Sequence, residues 1–197
     1  MHIRICSLPH RMKFLVRLAP RTVLCAIFLL AVLPVARAAQ NKPAPGAAVF
    51  PDLTTYNLDK VRLNLPSDFA APLDLLLISF QPEQQMQVNT WMPVAQALQH
   101  TNFNFRWYRM PVSSSENFIF RWWDNASMRS DETDPETYPW IVPLYVDVDS
   151  FRRSLQIPSV HQIAIRLVNK QGRVLWSADG PLTPQKRDSL EAAVAGK

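Results

Sequence analysis

One stretch constrains this chain more than any other: residues 73–110 read as strand, helix, strand. Leu73 to Phe80 is a nearly continuous apolar run, the pattern of a central strand covered on both faces. Val88 to Leu98 follows, with Trp91, Val94, Ala95 and Leu98 on one helical stripe. Phe103 to Met110 then alternates, Phe103, Phe105 and Trp107 against Asn104, Arg106 and Tyr108, as the next strand would. Two strands joined through a helix need a crossover, so the sheet is expected to hold parallel neighbours and the chain is α/β.

Residues 1–38 read as a secretory signal peptide. A basic stretch (Arg11, Lys13, Arg17, Arg21) leads into the apolar run Val23 to Val35, which ends in the small-residue cleavage pattern Ala36-Arg37-Ala38. The run is about 13 residues and is broken by Pro34, short of the about 20 that a membrane span needs. The expected location is therefore periplasmic or secreted; an uncleaved leader would instead anchor the chain to a membrane. Met12 offers a second start with a more typical leader. The chain's two cysteines, Cys6 and Cys25, both lie in this leader, and Cys25 lacks the small residues that precede a lipid-attachment site.

Removing the leader changes the electrostatics. Six of the 21 basic residues and none of the 16 acidic ones precede Ala39, which leaves 15 basic against 16 acidic residues and turns a formal charge of +5 into −1. Nothing in that balance favours nucleic acid or an anionic membrane as partner. No thiol remains in a compartment where disulfides would be allowed, so the hydrophobic core alone must hold the domain together, and the remaining length suffices for one.

Residues 39–49 are rich in Pro and Ala and read as a flexible linker, with the domain at 50–197. Residues 50–65 suggest a short hairpin-like lead-in. Ser113 and Glu116 have the spacing of a capping box before a short helix carrying Phe118, Ile119, Trp122 and Trp123. Residues 131–138 form a polar turn-rich loop, 140–145 a strand, and 149–155 a short helix capped by Asp149 or Ser150. Residues 160–168 and 174–176 read as a strand pair around the turn Lys170-Gln171-Gly172-Arg173. Thr183-Pro184 starts a last helix with Leu190 and Val194 four apart.

Leu73 to Phe80, the polar loop after it and the helix carrying Trp91 and Pro93 resemble the start of a thioredoxin domain. In thioredoxins the phenylalanine ending that strand and the proline kinking that helix enclose a CxxC motif at this same separation; here the cysteine positions fall on Gln85 and Val88. The resemblance implies a thioredoxin-like fold, a mixed central sheet flanked by helices with a helical or loop insertion, from which the usual redox chemistry is missing. Redox-active members also place a cis-proline before the strand that here starts near Val160. Val160-His161 occupy that position, and Pro158 is the nearest substitute.

A second resemblance spans most of the rest. Trp107-Tyr108-Arg109-Met110-Pro111, Met128-Arg129, Tyr145-Val146-Asp147 through Phe151-Arg152-Arg153-Ser154-Leu155, and the run from Leu167 to Trp176 followed by Gly180 are similar to the family of assembly factors for the membrane sector of mitochondrial ATP synthase and its secreted bacterial relatives. That similarity implies assembly of a membrane or envelope protein rather than redox catalysis, and it brings no catalytic residues.

Other chemistry finds little support. Only His100 and His161 follow the leader, so a transition-metal site would need carboxylates such as Asp147 or Asp149. Ser113-Ser114-Ser115 lacks a G-x-S-x-G elbow. Gly46, Gly172, Gly180 and Gly196 are too scattered for a phosphate-binding loop, and the acids at 131–136 lack the spacing of a calcium loop. Catalytic residues, metal and small-molecule cofactor are thus all expected to be absent.

Two candidate protein-binding surfaces remain. Gln84, Gln85, Gln87 and Val88 stand where a thioredoxin exposes its working loop, and side-chain amides can read a peptide backbone; a plain polar connection explains them as well. Trp107, Arg109, Arg121, Trp122 and Trp123 combine the residue types that dominate interface hot spots, or else close over one sheet face as core. The expectation is an exported, redox-inactive protein that binds another protein, as an assembly factor or chaperone for a membrane or envelope protein. The alternatives are a non-thiol enzyme and a purely structural periplasmic module.

Overall fold

The computed structural model describes residues 47–114 and 134–196, all within the unit 41–197. The leader, most of the linker and residues 115–133, with Arg121, Trp122 and Trp123, lie outside the described residues.

The strand–helix–strand unit forms as its sequence implies. Strand β3 (Leu73–Ser79) runs parallel to β4 (Phe105–Ser113), joined through α1 (Gln85–Thr101). Two earlier strands, β1 (Leu53–Tyr56) and β2 (Arg62–Leu65), pair antiparallel as the expected hairpin. Then come β5 (Leu144–Tyr145), α2 (Val148–Ser154), β6 (Ala164–Asn169), β7 (Val174–Asp179) and α3 (Pro184–Val194). The large sheet has the order β5-β4-β3-β6-β7, with β3, β4 and β5 parallel and β6 and β7 antiparallel to their neighbours. The fold is α/β and thioredoxin-like, with a mixed central sheet flanked by helices.

Both sheet faces are covered, which is why β3 is apolar except at Asp74 and its terminal Ser79. Leu75 and Leu77 meet α1 and α3 through Val88, Trp91, Val94, Ala95, Leu190 and Val194. Leu76 and Ile78 meet Phe50, Phe69, Tyr108, Phe151 and Leu155 on the opposite face. The same double burial explains why Tyr108, expected on a polar side, is buried.

Several boundaries differ from the sequence reading, each for a local reason. Phe103 is not in the strand and is 91% exposed: the Asn102 side chain accepts from the Asn104 backbone N–H at 2.9 Å and turns the chain before β4 begins. Ser113 ends β4 opposite Tyr145 rather than capping a helix. The strand expected over 140–145 shrinks to β5, because Asp134 caps a 3-10 helix over Pro135–Trp140 and Pro143 offers no N–H to a ladder. Helix α2 is capped by Asp147, not Asp149 or Ser150: its carboxylate accepts from the Ser150 backbone N–H at 2.6 Å, which holds its pKa below the ordinary value. Thr183 caps α3 as expected, and the turn before β7 uses Gly172 at φ +74°, where an added Cβ would meet Pro66 3.0 Å away.

Strand β6 starts at Ala164, four residues later than Val160. The residue before it is Ile163, so Val160-His161 do not hold the position where a cis-proline would stand. Pro158 is not cis either: Leu65-Pro66 is the one cis bond among the described residues.

Candidate functional site

Strand β3 ends at the corner where α1 begins. Phe80 leads to Gln81, and Pro82 opens a single 3-10 turn, Pro82–Gln84, that runs directly into α1. Proline suits that first position because the turn leaves its N–H unused. Neither the turn nor α1 has a side-chain cap.

Gln84 is the hinge pin of the corner. It is 2% exposed, its Oε1 accepts from the Phe80 backbone N–H at 2.8 Å, and its Nε2 donates to the Val160 carbonyl at 2.7 Å. One buried amide therefore ties the end of β3 to the loop before β6, and takes the carbonyl that a strand at Val160 would have used. Gln87 adds a longer contact, its Oε1 accepting from the Ile163 N–H at 3.4 Å. One turn further on, Thr90 Oγ1 accepts from the Leu182 N–H at 2.9 Å and Trp91 Nε1 donates to the Gly180 carbonyl at 3.0 Å. Residues 84, 87 and 91 lie on one helical stripe, so a single side of α1 stitches down both loops that border it.

Gln85 behaves differently. Its Nε2 donates to Asn89 Oδ1 at 2.8 Å and its Oε1 accepts from Arg109 Nη2 at 3.0 Å, both bonds at the surface. Met86 beside it is 80% exposed. Val88 is buried among Trp91 and Leu77, and Trp107, 3% exposed, sits in the same core with its indole N–H unpaired among the described residues. The candidates thus divide: Gln85 and Arg109 meet at the surface, Gln84 and Gln87 hold loops, and Val88 and Trp107 are core.

The loop opposite the corner, residues 155–163, is clamped from behind by Arg166. This guanidinium is 2% exposed and donates to the carbonyls of Leu155 at 3.1 Å, Gln156 at 3.3 Å, Ile165 at 2.9 Å and Ala178 at 3.0 Å, and to the Asp179 carboxylate at 3.0 Å. The sequence reading missed Arg166 and Thr90, whereas Met86 lay within the polar loop Gln81 to Gln87 that it singled out. The signal for Arg166 was present, since a charge in the middle of Ala-Ile-Arg-Leu-Val must be either exposed or fully paired.

Chemically the corner offers amides, a guanidinium and a thioether. No cysteine lies among the described residues, and among them no cluster of three His, Cys, Asp or Glu side chains could hold a metal ion. No described helix is long and apolar enough to cross a membrane.

The fold defines the class. Among solved structures, the chain is similar to an exposed lipoprotein thioredoxin of Streptococcus pneumoniae (10% identity, 75% of this chain and 100% of that one, TM-score 0.53). It is similar to BsSco, a member of the Sco family of cytochrome c oxidase assembly proteins (16% identity, 80% and 100%, TM-score 0.50). It is also similar to a protein from Chlorobium tepidum described as a thiol:disulfide interchange protein DsbE (13% identity, 77% and 96%, TM-score 0.50). At these identities the likeness establishes the thioredoxin-like fold alone. No protein-family model matches the chain, and no curated protein matches it by sequence.

Proposed function

We propose that this protein is an exported, redox-inactive member of the thioredoxin-like class that binds another protein at the α1 corner, as an assembly factor or chaperone for a membrane or envelope protein. The observation that carries the reading is the pair of residues at the cysteine positions. Gln85 stands at the first residue of α1, linked to Arg109, and Val88 is buried in the core. The corner keeps an exposed edge of amide, guanidinium and thioether that can contact a peptide, and offers no thiol to attack one. Export rests on the leader, and the assembly role on the resemblance carried by residues 107–180 together with the Sco protein's own description as an assembly protein.

The redox half of the proposal has a direct test. With Cys6 and Cys25 replaced by serine, the chain is expected to give no turnover of a disulfide substrate above buffer. Adding Gln85→Cys and Val88→Cys is expected to create that turnover, because the two positions lie one turn apart at a helix start, where a thiol pKa is lowered. Turnover by the thiol-free chain would overturn the reading.

A further inference from the structure

At the far end of β3 from the corner, Asp74 interrupts the apolar run and is fully buried. Its Oδ1 accepts from the Ala71 backbone N–H at 3.3 Å, while Oδ2 is buried with no hydrogen-bond partner among the described residues. The segment over it, residues 66–72, joins β2 to β3 and is held by three contacts, one to the carboxyl and two to residues that interact with it electrostatically. Ala71 bonds to Asp74 itself, the Ala70 N–H donates to Tyr108 Oη at 3.0 Å, and Lys170 Nζ donates to the Phe69 carbonyl. Phe69, fully buried, packs edge-on against Phe50 at 5.3 Å and tilted against Tyr108 at 5.6 Å. Phe50 belongs to the strap entering the domain, fixed by Val49 N–H to the Ser154 carbonyl at 2.9 Å and Phe50 N–H to the Gly172 carbonyl at 2.8 Å.

We propose that Asp74 is a proton-operated latch: protonated, it seats the segment 66–72 and the Phe69 ring beneath the strap of Val49 and Phe50, and ionised, it draws the Lys170 ammonium off the Phe69 carbonyl and loosens both. The charged groups facing it are Lys170 from the β6–β7 turn and Arg106 from β4. Tyr108, also on β4, is its titratable neighbour, and Asp68 in the segment acts on Tyr108. Arg166, on the same face of β6, is committed to Asp179 and four carbonyls. An unpaired carboxylate oxygen in a closed core is the costlier of its two protonation states.

Burial accordingly raises the Asp74 pKa to about 7, against the counter-pull of the Ala71 N–H, Lys170 and Arg106, and burial likewise pushes Tyr108 up to about 12. A carboxyl whose pKa is higher closed than open keeps the closed state fully favoured below the open-state value of 3.8. The advantage is lost as pH rises to about 7, and the effect is flat above it. The latch is fastened in acid and loosens toward neutrality.

The test is amide hydrogen exchange on the intact chain, corrected for the intrinsic pH dependence of exchange, with the Asp74 carboxyl carbon titrated by NMR in the same samples. Protection at Ala70, Ala71 and Phe50 is expected to fall at least about tenfold between pH 5 and pH 7, since each pH unit inside the window can multiply opening by up to about ten. The same sites in Asp74→Asn are expected to change less than about twofold over that range. An Asp74 carboxyl titrating near the ordinary aspartate value, or protection independent of pH in the unsubstituted chain, would overturn the proposal.

Discussion

Replacing Arg166 by alanine is expected to lower the stability of the domain by about 3 kcal/mol, the upper end of the penalty for leaving buried polar groups unsatisfied, since the Asp179 carboxylate left behind is 29% exposed and can be rehydrated. The size follows from what the side chain leaves behind. Five protein oxygens lose a donor at once, among them the Leu155 and Gln156 carbonyls at the start of the loop that faces the corner. Gln156 holds φ +52°, a left-handed backbone that a non-glycine residue adopts only when its surroundings impose it, and the Arg166 bond to its carbonyl is part of that imposition. Arg166→Lys is expected to recover only part of the loss, because one ammonium cannot reproduce a planar fork whose three nitrogens reach five acceptors. Urea denaturation of both variants reads this directly. A loss under about 1 kcal/mol for alanine would mean that solvent satisfies those oxygens and that the clamp is not structural.

Trp91→Ala is expected to cost a comparable amount, about 3–5 kcal/mol, through loss of a large buried side chain and the cavity it leaves. Trp91 is fully buried, packs edge-on against Trp176 at 6.1 Å and donates to the Gly180 carbonyl at 3.0 Å. Gly180 holds φ +76°, and its N–H donates to the Ile163 carbonyl at 2.8 Å, so the loop is tied to the start of β6 and is not free to follow a shrinking side chain. Trp91→Phe separates the two contributions. It keeps most of the ring volume and strands the Gly180 carbonyl, so about 1–2 kcal/mol is expected. Thermal melts of the pair check it. Equal losses for Phe and Ala would show that the indole N–H, not the ring, supports the helix.

The parts of this fold that were legible in the sequence are those where one local signal met no competitor. The βαβ unit was read from an apolar run and a helical stripe, and the turn at Gly172 and the cap at Thr183 from residues suited to those backbones. Boundaries slipped where a side chain distant in sequence took a backbone group that a strand would have used. Gln84 bonds the Val160 carbonyl across 76 positions, so β6 starts at Ala164, and no local pattern around Val160 carries that information. Residues 140–145 misled differently, since their apolar content suggested a strand while two prolines and the Asp134 cap favoured a 3-10 turn.

The corner was partly legible for the same reasons. Spacing from Phe80 and Pro93 placed Gln85 and Val88 at the cysteine positions but left Gln85 in a loop where the helix has already begun, and periodicity could not separate Gln84, which points inward to hold loops, from Gln85, which reaches Arg109 at the surface. Trp107 looked like an interface residue by type and is core by position, since β4 is covered on both faces. Asp74 and Arg166 are charges inside apolar strands that the sequence reading passed over, and only the structure distinguishes a fully bonded guanidinium from a carboxyl with a bare oxygen.

The central claim is that the corner at Gln85 and Met86 contacts another protein. It is tested most directly by placing a photocrosslinking residue at Met86 in the intact chain in its own cells, with position 103, which is even more exposed, as a control at the other end of the sheet. The account predicts a discrete adduct to one membrane or envelope protein from position 86 and none from position 103. No adduct from position 86 in a folded, exported chain, or the same adducts from both positions, would contradict it.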